Sequence, residues 1–279
     1  MPVTRDVEYP LVDLSLARRL ERTEARANAR FVEAMARVEP EARAVWIEVA
    51  GAYAMFAGVG SPVTQTFGLG LFDPVGPGEF EALERFFRDR GAVPAHEISP
   101  LADPALLPLL GERGYSPIEL TSLLYRPVAP DLRLEREADP GLAVRSVGAD
   151  EADTWSEVAA EGWNTESPHA AAFVRGMGRI AAQAEGTHCF LAELDGRPVA
   201  AGAFSVGEGV ALLAGASTIP SARRRGAQRA LLEARLRAAA GHGCELAMMG
   251  AAPGSASQRN AERQGFRIAY TRIKWQPAA

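Results

Sequence analysis

The first 40 residues carry apolar side chains every three or four positions, which is the spacing of an amphipathic helix. This pattern predicts a helix over 15–38, with Asp13 or Ser15 as its N-cap and Pro40 as its stop. Shorter apolar segments follow. They predict strands over 45–49, 52–57, 64–72, 96–99 and 117–125, and helices over 79–90 and 104–113. The tight turn between the first two strands indicates an antiparallel hairpin.

The second half of the chain shows the same alternation of short strands and helices. Asp195-Gly196 is a strong hairpin-turn signal between strands 188–194 and 198–206. Residues 211–240 predict a buried strand, a basic turn and a helix. The remaining predicted elements are strands 142–147, 245–250 and 266–275, and helices 150–162, 169–185 and 257–264.

A break in the pattern divides the chain. Residues 127–141 hold three prolines among charged residues and show no apolar periodicity, so they predict a linker. Gly114-Tyr115 and Gly265-Phe266 each follow a short helix and begin a last strand, and the second pair lies 151 positions after the first (115 to 266). We therefore predict two similar units in tandem, over 1–128 and 142–279, joined by a linker over 129–141.

Composition narrows the class of protein. The length of 279 residues and the hydrophobic content of 47% are typical of two globular domains. The net charge of -5 disfavours nucleic-acid binding, because a phosphate backbone attracts a basic surface. No apolar run would span a bilayer and the N-terminus lacks a signal-peptide pattern, so we expect a cytoplasmic protein, monomeric or homodimeric, with no membrane partner. Cys189 and Cys244 are expected to be free buried thiols. The four histidines lack metal-ligand spacing, so no metal site is expected.

The strand, turn and helix over 211–240 carry the most specific motif. Arg223, Arg224, Arg225 and Gly226 occupy the turn. A helix N-terminus presents unpaired N–H groups and the positive end of the helix dipole, so this turn is suited to an anion such as a diphosphate. A solvated basic helix start is the alternative interpretation.

The segment Ile219-Pro220-x-x-Arg223-x-x-Gly226, followed by Ala-Leu-Leu, resembles the acetyl-CoA-binding segment of the GNAT acetyltransferases. The resemblance implies an α/β (α+β) fold in which each of two GNAT-like domains has a mixed, mostly antiparallel sheet with helices on both faces. It also implies that turn amides hold the diphosphate of acetyl-CoA, and that a strand amide meets the thioester oxygen. The implied cofactor-binding residues are Ser217, Thr218, Ile219, Arg223, Arg224, Arg225, Gly226, Ala227, Gln228, Arg229 and Ser257. Arg224 and Gln228 depart from the family's small residues.

The first unit lacks this motif. Its corresponding loop, 73–78, contains Asp73 and two prolines and no arginine. A carboxylate repels a diphosphate and each proline removes an N–H donor. We therefore expect only the second unit to bind acetyl-CoA, with the first as a degenerate copy.

The residues that would perform acid–base chemistry are less evident. The strand before the turn has no carboxylate, and Ala261 stands where many family members have a tyrosine that protonates the departing thiolate. A water molecule, Ser257 or Tyr270 could take that role. Glu97 is a further candidate, because a Glu among apolar neighbours on a strand must be paired or functional; a buried ion pair with an arginine is the alternative.

The acceptor side is expected near the connection between the first two helices of the second unit. Trp163, Asn164 and Glu166 lie in that connection, and Glu97 could reach the same cleft from the first unit. The predicted function is N-acetyl transfer from acetyl-CoA to a primary amine of a small molecule. A sensor or scaffold that binds acyl-CoA without turnover is the alternative, and another acyl donor stays open.

Overall fold

A computed structural model describes residues 8–129, 141–163 and 168–278, with the side chains of 168–170 outside the description. Within these ranges the chain forms seven α-helices and eleven strands. The N-terminal unit contains α1 (Leu14–Val38), β1 (Val45–Val49), β2 (Ala52–Phe56), β3 (Thr66–Phe67), α2 (Pro77–Arg88), β4 (His96–Ile98), α3 (Leu106–Glu112) and β5 (Tyr115–Pro127). The C-terminal unit contains β6 (Leu142–Val147), α4 (Ala152–Trp163), α5 (Pro168–Ala181), β7 (Thr187–Leu194), β8 (Arg197–Gly207), β9 (Val210–Thr218), α6 (Ala227–Gly241), β10 (Leu246–Ala251), α7 (Ala256–Arg263) and β11 (Arg267–Pro277).

The predicted order of helices and strands is confirmed throughout the described ranges. Asp13 caps α1, since its carboxylate accepts a hydrogen bond from the Leu16 N–H at 2.9 Å. The largest difference is β3, which is two residues long although the apolar run predicts nine. The run continues past the strand because Leu69 and Leu71 enter the core from the following loop. Cys189 and Cys244 are free and buried, as predicted.

All described strands join one sheet, in the order β1-β2-β3-β4-β11-β5-β10-β9-β8-β7-β6. The two last strands are exchanged between the units. Strand β11 pairs with β4 and β5, and β5 pairs with β10 and β11, in each case antiparallel. The tandem units therefore share a continuous sheet, and each completes the sheet of the other. The predicted domain limits stay a prediction, because 130–140 lie outside the described residues.

Helices cover both faces of the sheet. On one face α1 packs over strands of both units and against α5, with Phe31 and Val32 in a core shared with Met55 and Ile180. On the opposite face α6 packs against β8 and β9 through Leu231 and Leu236. Successive side chains of a strand point to opposite faces of the sheet, so the central strands contribute side chains to the cores on both faces. The long helix α1 therefore forms part of the surroundings of the C-terminal unit.

Candidate functional site

Strands β9 and β10 run parallel but separate after three residue pairs. Val210, Ala211 and Leu212 pair with Leu246, Ala247 and Met248, and no pair follows within the described residues. The last six residues of β9, 213–218, therefore have no strand partner on the β10 side, and 214–216 are exposed. Parallel strands end at the same edge of a sheet, so α6 and α7, which follow them, both begin at this opening. The result is a wedge-shaped cleft with two helix N-termini at its mouth.

The turn before α6 has the conformation that exposes backbone donors. Gly226 is the N-cap of α6 with φ of +88°, a left-handed conformation in which glycine is unstrained, and Arg224 also has a positive φ, of +66°. Among the described residues no backbone acceptor is recorded for the amides of Arg224, Gly226, Ala227 and Gln228. These amides and the positive end of the helix dipole lie where the sequence predicts an anion site, which stays a prediction.

The arginines of the turn differ in role. Arg223 turns back toward the strand and the end of α4: its Nη2 donates to the Gly162 carbonyl at 2.9 Å and its Nε to the Thr218 carbonyl at 3.3 Å. Arg224 and Arg225 are exposed. Arg223 therefore joins the turn to α4, while Arg224 and Arg225 add positive charge at the mouth of the cleft.

The end of β9 packs closely against α4 on one side. On the other side it has polar groups without hydrogen-bond partners among the described residues. Ser217 Oγ donates to the Ala159 carbonyl at 2.9 Å, and a Cβ at Gly162 would lie 2.5 Å from Ser217 Cβ, so only glycine permits this contact. The Ile219 N–H donates to Val199 of β8 at 2.9 Å. Successive N–H groups of a strand point to opposite sides of it. The Thr218 N–H is therefore directed to the side from which β10 has diverged. Thr218 Oγ1 is buried and has no hydrogen-bond partner among the described residues.

Helix α7 contributes two positions of interest. Ser257 is exposed in the first turn of α7, at the same edge of the sheet as the turn before α6. Ala261 is 4% exposed and packs in the core with Phe266. Position 261 therefore supplies no acid group, and Ser257 is an exposed polar side chain in the first turn of α7.

The corresponding cleft of the N-terminal unit is closed. The loops after β3 and β4 are joined by a hydrogen bond from the Asp103 N–H to the Gly70 carbonyl at 2.8 Å, and a Cβ at Gly70 would lie 2.3 Å from the Leu106 side chain. Helix α2 caps itself, since Glu79 accepts from the Gly76 N–H at 3.0 Å and Pro77 has no N–H. An anion would meet a carboxylate here instead of free donors.

Glu97 and Tyr270 lie in a buried ionic cluster with Arg272, Glu21 and Glu24. Arg272 Nη2 is 2.9 Å from the Glu97 carboxylate, and Arg272 Nη1 is 2.7 Å from Glu24 and 3.3 Å from Glu21. Tyr270 donates to Glu21 at 3.0 Å. Burial raises the pKa of Glu21 to about 7 and also raises the pKa of Glu97, against the opposing effect of Arg272.

This cluster is remote from the cleft. Strands lie about 4.8 Å apart, so β11 and β4 are roughly 14 and 19 Å from β9 in the sheet order. The structure therefore does not bring Glu97 or Tyr270 to the turn before α6. Glu97 instead forms a buried ion pair with Arg272, which is the alternative that the sequence left open. A catalytic role for either residue stays a prediction that this position disfavours.

A cavity that the sequence did not indicate lies at the end of α4, where the acceptor side is predicted. Trp163, the last residue of α4 and 39% exposed, lines a cavity of about 320 Å³ next to the exposed residues Ala214 and Gly215 of β9. Asn28 and Phe31 of α1 and Phe173 of α5 also line it. Phe31 is buried in the core under α1 and also borders this cavity, because α1 packs against α5 and β9 of the C-terminal unit. Asn164 and Glu166 lie outside the described residues.

The described ranges show neither a metal centre nor a membrane-spanning helix. No group of three or more His, Cys, Asp or Glu side chains is arranged to hold a metal ion there. None of the helices in those ranges is both long enough and apolar enough to cross a membrane.

Comparison with known structures defines the class of fold. The chain superimposes on a GCN5-related N-acetyltransferase from Kribbella flavida with a TM-score of 0.63 and 21% identity, covering 88% of this chain and 95% of that one. It superimposes on a tandem GNAT protein from the clavulanic acid biosynthesis pathway with a TM-score of 0.59 and 14% identity, covering 83% and 80%. A GCN5-related N-acetyltransferase from Sphaerobacter thermophilus matches with a TM-score of 0.52 and 17% identity, covering 76% and 71%. The fold is that of tandem GNAT proteins.

The sequence of the second unit matches a known protein family. Residues 149–266 match the model of the acetyltransferase (GNAT) family, and this segment contains β9, the basic turn, α6 and β10. The C-terminal unit therefore contains the segment that is similar to the GNAT acetyltransferases, and this match supports acyl transfer in general. None of the curated proteins compared with it matches significantly.

Proposed function

We propose that the protein is an N-acetyltransferase that transfers an acetyl group from acetyl-CoA to a primary amine of a small molecule. The observation that carries this proposal is the divergence of β9 and β10 after three residue pairs, with the N-terminus of α6 at the open end. One side of this cleft is the backbone of 213–218, which has no strand partner on the β10 side and so suits an extended thioester arm that ends in a diphosphate.

The donor end of the cleft fits acetyl-CoA in charge and hydrogen bonding. The amides of Arg224, Gly226, Ala227 and Gln228 and the dipole of α6 would bind the diphosphate, and Arg224 and Arg225 add positive charge. The buried Thr218 hydroxyl would find a partner in the bound thioester arm. Ser257 would lie beside the same arm from α7.

The reaction needs no strongly tuned side chain in this geometry. The Thr218 amide, directed into the cleft, would stabilise the charge that develops on the thioester oxygen during attack by the amine. Binding both reactants at the same strand replaces a bimolecular encounter by a reaction between aligned groups, and this effect alone accounts for large accelerations. Direct attack in a ternary complex is therefore the proposed route.

The test is release of CoA thiol from acetyl-CoA over a panel of primary amines, with binding of acetyl-CoA measured separately by calorimetry. The proposal predicts amine-dependent thiol release and binding of one acetyl-CoA per chain. Absence of acetyl-CoA binding would contradict the site assignment as well as the reaction.

A protein that binds acyl-CoA without turnover is the second candidate. It is favoured by the lack of a carboxylate on β9 and by the buried Ala261 at the position implied for a tyrosine. The same measurements separate the two candidates. Binding without thiol release above background hydrolysis, over the whole amine panel, would establish the second.

A further inference from the structure

The cavity beside β9 is built by both units. Its walls include Asn28 and Phe31 from α1 of the N-terminal unit, Trp155 and Trp163 from α4, and Phe173 and Met177 from α5. Its base contains Ala214 and Gly215 of β9. Gly215 is three residues from Thr218, which corresponds to about 10 Å along a strand. A molecule in this cavity is thus within the reach of a short arm from the place proposed for the thioester.

The lining of this cavity is apolar. Among the described residues that form it, none is charged. The polar groups are mostly occupied, since Thr187 Oγ1 lies 3.2 Å from Ser205 Oγ and Trp155 Nε1 donates to the Phe190 carbonyl at 3.1 Å. Asn28 makes no side-chain hydrogen bond among the described residues. The cavity therefore offers aromatic and aliphatic contact and one amide group.

From this lining we infer the class of acceptor: a primary amine on a short arm attached to an uncharged, apolar body such as a phenyl ring or a six-carbon chain. This inference rests on the proposed function. A second charge on the acceptor would lose its hydration in the cavity without gaining a partner, which is unfavourable, whereas an apolar body gains free energy from the same burial. A volume of about 320 Å³ holds a body of roughly ten non-hydrogen atoms, as a liquid water occupies about 30 Å³.

The same lining explains how a nucleophile forms without a nearby carboxylate. Burial in apolar surroundings disfavours an ammonium group and so lowers the pKa of the bound amine. The neutral nitrogen then attacks the thioester carbon, the C–N bond forms and the C–S bond breaks. The nitrogen loses a proton and the departing thiolate gains one, so the products are the acetamide and CoA thiol.

The inference also assigns a use to the N-terminal unit. Its own cleft is closed, but α1 forms one wall of the acceptor cavity through Asn28 and Phe31. The degenerate unit would thus select the acceptor while the C-terminal unit binds the donor. Asn28 is the polar side chain placed to distinguish between acceptor bodies.

The experiment compares hexylamine with hexane-1,6-diamine, which differ by one terminal ammonium, and adds 2-phenylethylamine as an aromatic probe. Full-length protein is assayed for thiol release with acetyl-CoA, and acetyl-CoA affinity is measured for every variant. We expect kcat/KM for hexylamine to exceed that for the diamine by roughly tenfold or more, because the second charge is left unpaired. The aromatic amine should behave like hexylamine.

Two variants test the cavity itself. Phe173→Ala removes an exposed wall residue and should lower kcat/KM for the apolar amines by roughly tenfold, with acetyl-CoA affinity unchanged. Leu107→Ala removes an exposed apolar side chain on α3 and is the matched control, with no change expected. Asn28→Asp places a carboxylate in the wall and should shift the preference toward the diamine by roughly tenfold.

Three outcomes would overturn the inference, and the first two of them leave the proposed function intact. In the first, the wild-type protein binds and uses acetyl-CoA normally but has a higher kcat/KM for the diamine than for hexylamine. Another is a Phe173→Ala variant that keeps full activity on both apolar amines. The third is an octanoyl-CoA affinity that exceeds the acetyl-CoA affinity and falls in Phe173→Ala, since the cavity would then hold the acyl chain. Loss of acetyl-CoA binding itself would instead contradict the proposed function.

Discussion

A guanidinium nitrogen of Arg272 lies 2.9 Å from a carboxylate oxygen of Glu97, and this ion pair joins the last strand of the chain to β4 of the N-terminal unit. Both side chains are buried, and Glu21 and Glu24 of α1 contact the same guanidinium. The pair thus connects a strand from one unit with a strand and a helix from the other. It therefore lies at the contact between the exchanged strand β11 and the N-terminal unit.

Removing this guanidinium should destabilise the fold strongly. Arg272→Met leaves three buried or partly buried carboxylates without their cation, and loss of one partner of a buried ion pair typically costs about 3–5 kcal/mol. Urea denaturation measures the change in free energy of unfolding. Arg237→Ala, which removes an exposed pair on α6, is the control and should change it by about 0.5 kcal/mol or less. Equal effects of the two variants would show that the cluster does not stabilise the exchanged strand.

The excess of carboxylates over guanidinium in the cluster predicts a dependence of stability on pH. Burial raises the pKa of Glu21 from 4.5 to about 7, so between these values the folded state retains a proton that the unfolded chain has lost. The free energy of unfolding should therefore be largest below the unfolded pKa and should decrease as the pH rises through about 7, by up to about 3 kcal/mol for one group.

Glu21→Gln is the variant that tests this assignment. It keeps a hydrogen-bond acceptor for Tyr270 and removes one negative charge, while Glu24 and Glu97 still pair with Arg272. We expect a shallower pH dependence and a stability at about pH 8 that equals or exceeds that of the wild type. A steeper decrease, or a loss of stability at alkaline pH, would contradict the assignment of the raised pKa to Glu21.

Much of this architecture follows from sequence patterns alone. Helix α1, the hairpin at Asp195-Gly196 and the turn before α6 are each specified by local features: apolar spacing, turn residues and glycine. The exchange of β5 and β11 is not, because both strands carry ordinary apolar alternation and their partners lie far away in the chain. Likewise, the sequence indicates that Glu97 is a buried carboxylate. It does not decide between a catalytic role and an ion pair, because the partner, Arg272, lies 175 positions later in the chain (97 to 272).

The acceptor side shows the same limit. Trp163 was predicted to lie in the connection on the acceptor side, and it lines the cavity. The sequence does not predict that Phe173 and Asn28 line a cavity, because a helix face that lines a cavity has the same apolar spacing as one that enters a core. The exposed fraction of Phe173, 45%, is the observation that distinguishes them, and it requires the structure.

Two neighbouring hydroxyl groups at the end of β9 should respond differently to deletion. Thr218 Oγ1 is buried without a partner among the described residues, so Thr218→Val should leave the unfolding free energy of the ligand-free protein unchanged or raise it by about 1 kcal/mol. Its acetyl-CoA affinity should fall, because the hydroxyl is proposed to bind the thioester arm. Calorimetry with acetyl-CoA and urea denaturation provide the two readouts.

Ser217→Ala is the matched control for this variant. Ser217 Oγ donates to the Ala159 carbonyl, so its removal should lower the unfolding free energy by about 1 kcal/mol. A Thr218→Val variant that is destabilised while binding acetyl-CoA normally would assign Thr218 a structural role like that of Ser217.

Charge reversal in the turn before α6 should weaken binding of the diphosphate specifically. Arg225→Glu brings a negative charge to the helix N-terminus and should lower CoA affinity by about tenfold or more, while pantetheine, which lacks the diphosphate, should bind as before. Arg237→Glu makes the same change near the other end of α6 and should alter neither affinity. Arg223 is unsuitable for this purpose, since it holds the Gly162 carbonyl and its loss would disturb α4.

Hydrogen exchange of the backbone amides, resolved along the chain with and without acetyl-CoA, determines which unit binds the donor. We expect acetyl-CoA to slow exchange at the end of β9 and in the first turn of α6, over 216–229, and to leave the corresponding N-terminal segment 68–80 unchanged. Protection confined to 68–80, or no protection in either segment, would contradict binding of acetyl-CoA at the turn before α6.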